Sequence, residues 1–427
     1  MSDDEDSPPE RVPTQRRRRM RRRFNDRDFL VTEGFFSGTA TATHNAFFIT
    51  LLVQLGIGSL ALGIFTSLNG LLTNASGLAG SLVARRVTNR RTLTALSGGL
   101  GRAGFLVIAV LLLVQGRNVS PPLLIAIALA SVTLIGIGAP ILTTIVADTV
   151  SARQRGSFFA TRFLASGIGA AIVAIGVAGL LRQLSFPHGF TVAYALAAMA
   201  GIGSLLAILS LRHGSYAATA HGSGAAGGSF GTVSALMWRY ACATFVLWFG
   251  AALVAPVLTP YILNDLGASP SFIGLMTATN AIVGLLAQRY WGRRVDRFGS
   301  FAVVSVAMVG VSTLPVLYAL TPTYWFALGF EVISGIAWAG YALGNLNYAL
   351  EVAPPHERAR YTSIASAAAG LGAFAGPLTG AALLSVLEPQ TVLFMAGAIR
   401  LSAFAVVQLA RPGARDSADV APTAGRA

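Results

Sequence analysis

The sequence predicts an all-α integral membrane protein of about twelve transmembrane helices, arranged as two pseudo-symmetric six-helix bundles. Hydrophobic residues form 54% of the 427-residue chain and charged residues only 11%, whereas a water-facing surface needs about 25% charged residues. Apolar runs of bilayer-spanning length, about 20 residues, recur from end to end. Arginine, finally, gathers at alternate joints between those runs.

The elements follow in order. Residues 1–28 are a polar tail, acidic from Asp3 to Asp6 and then basic through the run from Arg16 to Arg23. The first apolar segment lacks a short apolar region with a small-residue cleavage site, so it reads as an uncleaved span and not as a secretory signal. Spans are expected at 29–54, 60–83, 92–115, 121–147, 158–181 and 188–211, forming a first bundle over 29–211. A linker at 212–237, rich in Gly, Ala and Ser, has a flexible and solvated composition. A second bundle over 238–410 holds spans at 238–262, 270–290, 300–320, 323–350, 362–386 and 390–410, and a tail at 411–427 closes the chain. Lipid offers backbone groups no hydrogen-bond partners, so each span is read as a helix. The alternating ten-residue segments of a membrane β-barrel are not present.

Charge placement tests the count. All 31 basic residues are arginine. With both termini cytoplasmic, Arg117 and Arg182 fall in outer loops, Arg102, Arg162 and Arg400 fall inside spans, and the rest lie on the inner side. That asymmetry is the positive-inside pattern, and it predicts a multi-pass protein of the plasma (bacterial inner) membrane. The net charge of +14 therefore does not point to nucleic acid. The Arg16–Arg23 run fits a topology anchor and attraction to anionic lipid headgroups. One cysteine, Cys242, excludes an internal disulfide and a multi-cysteine metal site, and the five histidines are scattered. No Gly-Lys-Ser/Thr phosphate loop and no nucleophile–base pair is visible. No cofactor, no metal and no enzymatic chemistry are expected, and the chain is expected to be monomeric.

The two halves resemble each other. The segment from Leu55 aligns with that from Leu266, matching Gly56 with Gly267, Gly63 with Gly274, Thr66 with Thr277 and Asn69 with Asn280. Asp148 followed by Arg155 likewise matches Glu351 followed by Arg358. A duplicated six-helix unit is the simplest explanation, and paired repeats of this kind place a substrate site at their interface near the membrane midplane.

Between spans eight and nine stands Gly292-Arg-Arg-Val-Asp296-Arg297-Phe-Gly299. With the six-plus-six arrangement and the paired acid–Arg motifs, this resembles the major facilitator superfamily, and in particular its poorly characterised bacterial members, over residues 29–410. The equivalent first-half loop is degenerate, with Gly80, Ala84 or Arg85 and Arg90-Arg91. The resemblance implies a cytoplasmic gate at Gly292, Asp296, Arg297, Gly299, Asp148, Arg155, Glu351 and Arg358. Opposite charges at the inner rim would latch the bundles in one state and release them in the other. The plainer reading is topology signals and helix caps. Gly376-Pro377-x-x-Gly380 is similar to an antiporter motif, but that motif belongs on span five, which here has no Gly-Pro.

Charges within spans are costly, about 2.5–3.5 kcal/mol at a helix centre, and so are functional candidates. Glu331 near mid-depth of span ten can carry a proton. His44 and Asn45 on span one can contact a polar substrate. Trp338, Tyr341 and Asn345 share one face of span ten. Against each stands ordinary helix packing. Glu33 and Arg162 are expected to snorkel to the interface, with a part in the inner gate as the alternative. Arg102 and Arg400 have no clear role beyond pairing with Glu331 or a carbonyl.

The resulting expectation is secondary transport of a small molecule by alternating access, with proton-coupled efflux of a moderately apolar solute first. Proton-coupled uptake of a sugar-like or other polar metabolite follows, and a non-transporting sensor or scaffold is the alternative from another class.

Overall fold

A computed structural model describes residues 25–84, 89–150, 154–211, 234–353 and 358–411. Residues 212–233 of the linker, 1–24 and 412–427 of the tails, and the side chains of Asp148, Arg155 and Arg358 lie outside the described residues. Twelve long helices are described: α1 Asp26–Gln54, α2 Ser59–Ala84, α3 Arg90–Gln115, α4 Pro121–Thr149, α5 Arg155–Gln183 and α6 His188–Leu209 in the first half. The second half holds α7 Ala235–Asp265, α8 Pro270–Phe298, α9 Ser300–Ala319, α10 Phe326–Val352, α11 Arg358–Leu383 and α12 Pro389–Gln408. Helix α7 is interrupted at Val254, continues through a short turn at Ala255–Pro260 and ends in a π turn at Tyr261–Asp265. Pro256 and Pro260 lack the N–H that an unbroken ladder requires.

Ten of these helices are long and apolar enough to cross a membrane. Helices α1 and α2 fall short on composition because the uncharged part of α1 carries Ser, Thr, Gly, His44 and Asn45, and α2 is rich in Asn, Ser, Thr and Gly. Helix α1 also begins earlier than its apolar run. Asn25 accepts from the Asp26 N–H at 2.8 Å while Asp28 accepts from the Asn25 N–H at 3.1 Å, a reciprocal cap that starts the helix in water.

The packing pattern repeats with each helix shifted by six. In the first half α1 packs on α5 and α6, α3 on α4 and α6, and α2 on α4; in the second α7 packs on α11 and α12, α9 on α10 and α12, and α8 on α10. The bundles meet along two symmetry-related seams, α2 with α11 and α5 with α8. The sequence matches sit where this symmetry requires them. Gly56 and Gly267, just after α1 and α7, have φ of +78° and +70°, a conformation that only glycine adopts freely. Gly63 and Gly274 occupy the two seams. A Cβ on Gly63 would lie 2.8 Å from the Pro377 carbonyl oxygen, and one on Gly274 would lie 2.7 Å from the Ala178 Cβ. Lacking a hydrophobic drive between helices in lipid, small residues give the close van der Waals approach that holds such seams.

Candidate functional site

Between the bundles lies a cavity of about 760 Å³ walled by both halves: Asn45, Phe48 and Asn69 from α1 and α2, and Trp248 and Pro377 from α7 and α11. Asn45 is exposed to it. His44 also reaches the wall but is 3% exposed, set 5.3 Å from the Phe105 ring and 4.8 Å from Phe48, with Nδ1 3.5 Å from the Tyr194 hydroxyl. Asn69, the repeat partner of Asn280, has a buried Oδ1 with no hydrogen-bond partner.

A second cavity of about 290 Å³ lies among α7, α9, α10 and α12, and Glu331, Trp338 and Arg400 line it. Ile49 and Ala255 line both cavities. The Tyr318 hydroxyl donates to Glu331 Oε1 at 2.7 Å, and Asn280 Nδ2 donates to Oε2 at 2.8 Å and to Ser334 Oγ at 2.9 Å. Helix α8 thus supplies one donor and α9 the other, so the carboxylate of α10 is fixed from two sides.

Trp338 stands 5.5 Å from Trp248. Tyr341 and Asn345 are placed behind the lining, inside the second bundle. Tyr341 accepts from Trp248 Nε1 at 3.2 Å, and Asn345 Oδ1 accepts from the Tyr240 hydroxyl at 2.5 Å. The structure therefore places His44, Asn45, Glu331 and Trp338 on the walls of two adjacent cavities and leaves Tyr341 and Asn345 as interhelical ties. Sequence reasoning missed Trp248, Asn280 and Tyr318. The Asn69–Asn280 match was the available signal for the second of these.

The snorkelling expected of Glu33 and Arg162 is overturned. Glu33 is 1% exposed; it accepts from Arg162 and, at 3.1 Å, from Ser204 Oγ, and lies 3.8 Å from Arg102. Arg102 therefore pairs with Glu33 and not with Glu331, and its Nη2 donates to Ser37 Oγ at 2.6 Å. These groups border a cavity of about 220 Å³ within the first bundle. Arg400 donates to the carbonyls of Val311 at 3.0 Å and Ala251 at 3.3 Å. Each of these three arginines, Arg102 and Arg400 buried and Arg162 partly so, is seated against a glycine of a neighbouring helix. A Cβ on Gly34 would lie 2.7 Å from Arg162 Cγ, one on Gly201 2.7 Å from Arg102 Cβ, and one on Gly250 2.9 Å from Arg400 Cγ.

The motif placed in a loop between spans eight and nine instead continues α8. Gly292, Asp296 and Arg297 lie on its last turns, and Gly299 ends it at φ +81°. Arg294 and Arg297 stack over Phe298 at 5.4 and 5.2 Å, which carries the helix beyond its apolar run. Asp296 is exposed. Glu351 accepts from the buried Ser300 hydroxyl at the start of α9, a tie within the second bundle.

Comparison with known proteins agrees with this architecture. The family model described as Major Facilitator Superfamily matches residues 240–425. The quinolone resistance protein NorA of Staphylococcus aureus (strain MRSA252) is 27% identical over 160 residues, 38% of this chain and 41% of NorA. The class C tetracycline resistance protein of Escherichia coli is 31% identical over 137 residues, 31% of this chain and 34% of that protein. The matched stretches thus span less than half of these relatives. Among solved structures, the nucleoside transporter NupG superposes with a TM-score of 0.69 at 14% identity, covering 91% of this chain and 99% of NupG. A bacterial homologue of the iron transporter ferroportin in an inward-facing state gives 0.67 at 15% identity, covering 90% of this chain and 98% of that one. The second half of this multi-pass membrane protein thus matches the Major Facilitator Superfamily model, and its fold is shared with solved transporters across nearly the whole chain.

Proposed function

We propose that the protein is a secondary transporter that exports a moderately apolar small molecule in exchange for protons. The observation that carries this reading is the cavity of about 760 Å³ walled by both repeats, with aromatic side chains and few charges. A site shared by two rocking bundles is what alternating access requires. The resistance functions named for NorA and the class C tetracycline protein favour export over uptake.

Glu331 is the proposed proton carrier. Its carboxylate accepts from Tyr318 and Asn280, and the Tyr318 hydroxyl can rotate to accept instead when the acid is protonated. The carboxyl group thus keeps a hydrogen-bond partner in either protonation state. In the proposed cycle the described state is closed at the face opposite the termini, where Val53 of α1 packs into the cluster of Leu253, Val254 and Val257. The inner-rim residues Gly292, Asp296, Arg297 and Gly299, with Asp148, Arg155, Glu351 and Arg358, would latch the bundles in the opposite state.

The test uses inside-out vesicles with an energised pH gradient and a panel of drugs, sugars and metabolites. We expect at least one apolar compound to dissipate the gradient with wild type but not with Glu331→Gln or empty vesicles. If no compound separates wild type from empty vesicles, proton antiport falls, and labelled uptake into right-side-out vesicles would then decide between import and a sensor role.

A further inference from the structure

We propose that the cavity at Arg400 is a subsite for the anionic group of a carboxylate-bearing amphiphile whose apolar body occupies the main cavity. The placement of that body rests on the transport reading above; the anion site itself rests on Arg400.

A guanidinium has five N–H donors. Two are given to the Val311 and Ala251 carbonyls, and the Nε–H has no partner. Three donors are therefore uncommitted on a side chain that is 5% exposed. No carboxylate lies within 4 Å of this guanidinium among the described residues; its described partners are the two backbone carbonyls, which solvate the cation without neutralising it. Glu331 borders the same cavity, but its two oxygens are already held by Tyr318 and Asn280.

The surroundings accommodate the arginine and leave room beside it. Gly250 leaves space for its stem, since a Cβ there would lie 2.9 Å from Arg400 Cγ and 3.0 Å from Ile399 Cγ2. The cavity of about 290 Å³ holds a carboxylate and several waters, each water taking about 30 Å³. Ile49 and Ala255 line both this cavity and the aromatic one, and Trp338 of this cavity stands 5.5 Å from Trp248 of the other. An apolar body in one chamber and a charged head in the other would span both. Paired N–H groups of a guanidinium match the two oxygens of a carboxylate. Glu331 lines the same cavity and would repel a dianion more than a monoanion, so a single negative charge is favoured.

The test is equilibrium dialysis of the purified full-length protein against labelled phenylbutyrate and naphthylacetate, each compared with its neutral primary amide. A charge-assisted pair in a dry site predicts that each acid binds about tenfold or more tighter than its amide. Arg400→Gln should bring acid and amide to parity. Equal binding of acid and amide to wild type, no binding of either acid, or an acid preference retained in folded Arg400→Gln would each overturn the proposal. So would tighter binding of phenylbutyl phosphate than of phenylbutyrate. If Arg400→Gln does not elute as a folded species, the wild-type comparison still decides, and Arg400→Lys should keep a reduced acid preference. Acid selectivity without vesicle transport would refute the transport reading alone. Export of neutral compounds with equal acid and amide binding would refute the anion site alone.

Discussion

Replacing Glu33 by Gln separates a buried ion network from a surface one. In the native bundle one carboxylate serves two guanidiniums, accepting from Arg162, lying 3.8 Å from Arg102 and accepting from Ser204 at 3.1 Å. Glutamine preserves the shape and the bond from Ser204 but removes the negative charge. The cluster then carries two positive charges and no negative one, against a native surplus of one. Removing one partner of a buried pair costs about 3–5 kcal/mol, because the other charge is left uncompensated. An exposed pair would cost only about 0–1 kcal/mol. The side chains of Glu33, Arg102 and Arg162 are 2%, 6% and 16% exposed, so the buried figure applies, with some relief from hydration at Arg162. The assay is reversible unfolding of purified protein in mixed detergent micelles, comparing wild type, Glu33→Gln, Arg162→Gln and the double variant. The double variant returns the cluster to a surplus of one and should be more stable than Glu33→Gln alone. A loss below about 1 kcal/mol for Glu33→Gln, or a double variant as unstable as the two singles added together, would refute the reasoning.

Three further outcomes are expected. Gly250→Ala should lower stability by about 1–3 kcal/mol in the same unfolding assay by overpacking against Arg400 and Ile399, whereas Gly176→Ala, with nothing within 4 Å of the new Cβ, should be neutral or slightly stabilising. Tyr318→Phe removes one donor to Glu331 and should cost about 1–2 kcal/mol in wild type but much less in a Glu331→Gln background, a difference read from a double-mutant cycle. Gly63→Val and Gly274→Val should each force apart one symmetry-related seam and lower vesicle transport to a similar degree; a large loss at one and none at the other would contradict their equivalence.

Much of the fold was legible because its determinants lie along the chain. Apolar run length and arginine at alternate joints are one-dimensional signals, and the described residues form twelve long helices at the expected places. The Gly56–Gly267 match was legible for the same reason, since a positive φ can be supplied by residue type alone. The errors at helix ends arose where polar residues extend a helix past its apolar run, as the Asn25–Asp28 cap does for α1 and the arginines over Phe298 do for α8.

The site was less legible, for a geometric reason. Sequence gives the depth of a residue along its helix but not the direction in which the side chain points. Glu33 and Arg162 were both placed correctly near helix ends, yet depth alone favoured snorkelling, and only rotation about α1 and α5 shows that they meet. Tyr341 and Asn345 share a face with Trp338 by spacing, yet that face curves from the cavity lining into the bundle, where Trp248 and Tyr240 claim them. The repeat supplies part of the missing angle, because symmetry places matched residues on equivalent faces; it pointed to Asn69 and Asn280, both of which border the cavities or bind Glu331. Glycine supplies another part. A cation buried among helices needs an acceptor and also room for its stem, and Gly34, Gly201 and Gly250 provide that room for Arg162, Arg102 and Arg400. Sequence shows all six residues but not which glycine faces which arginine, and that pairing is decided by the helix packing itself.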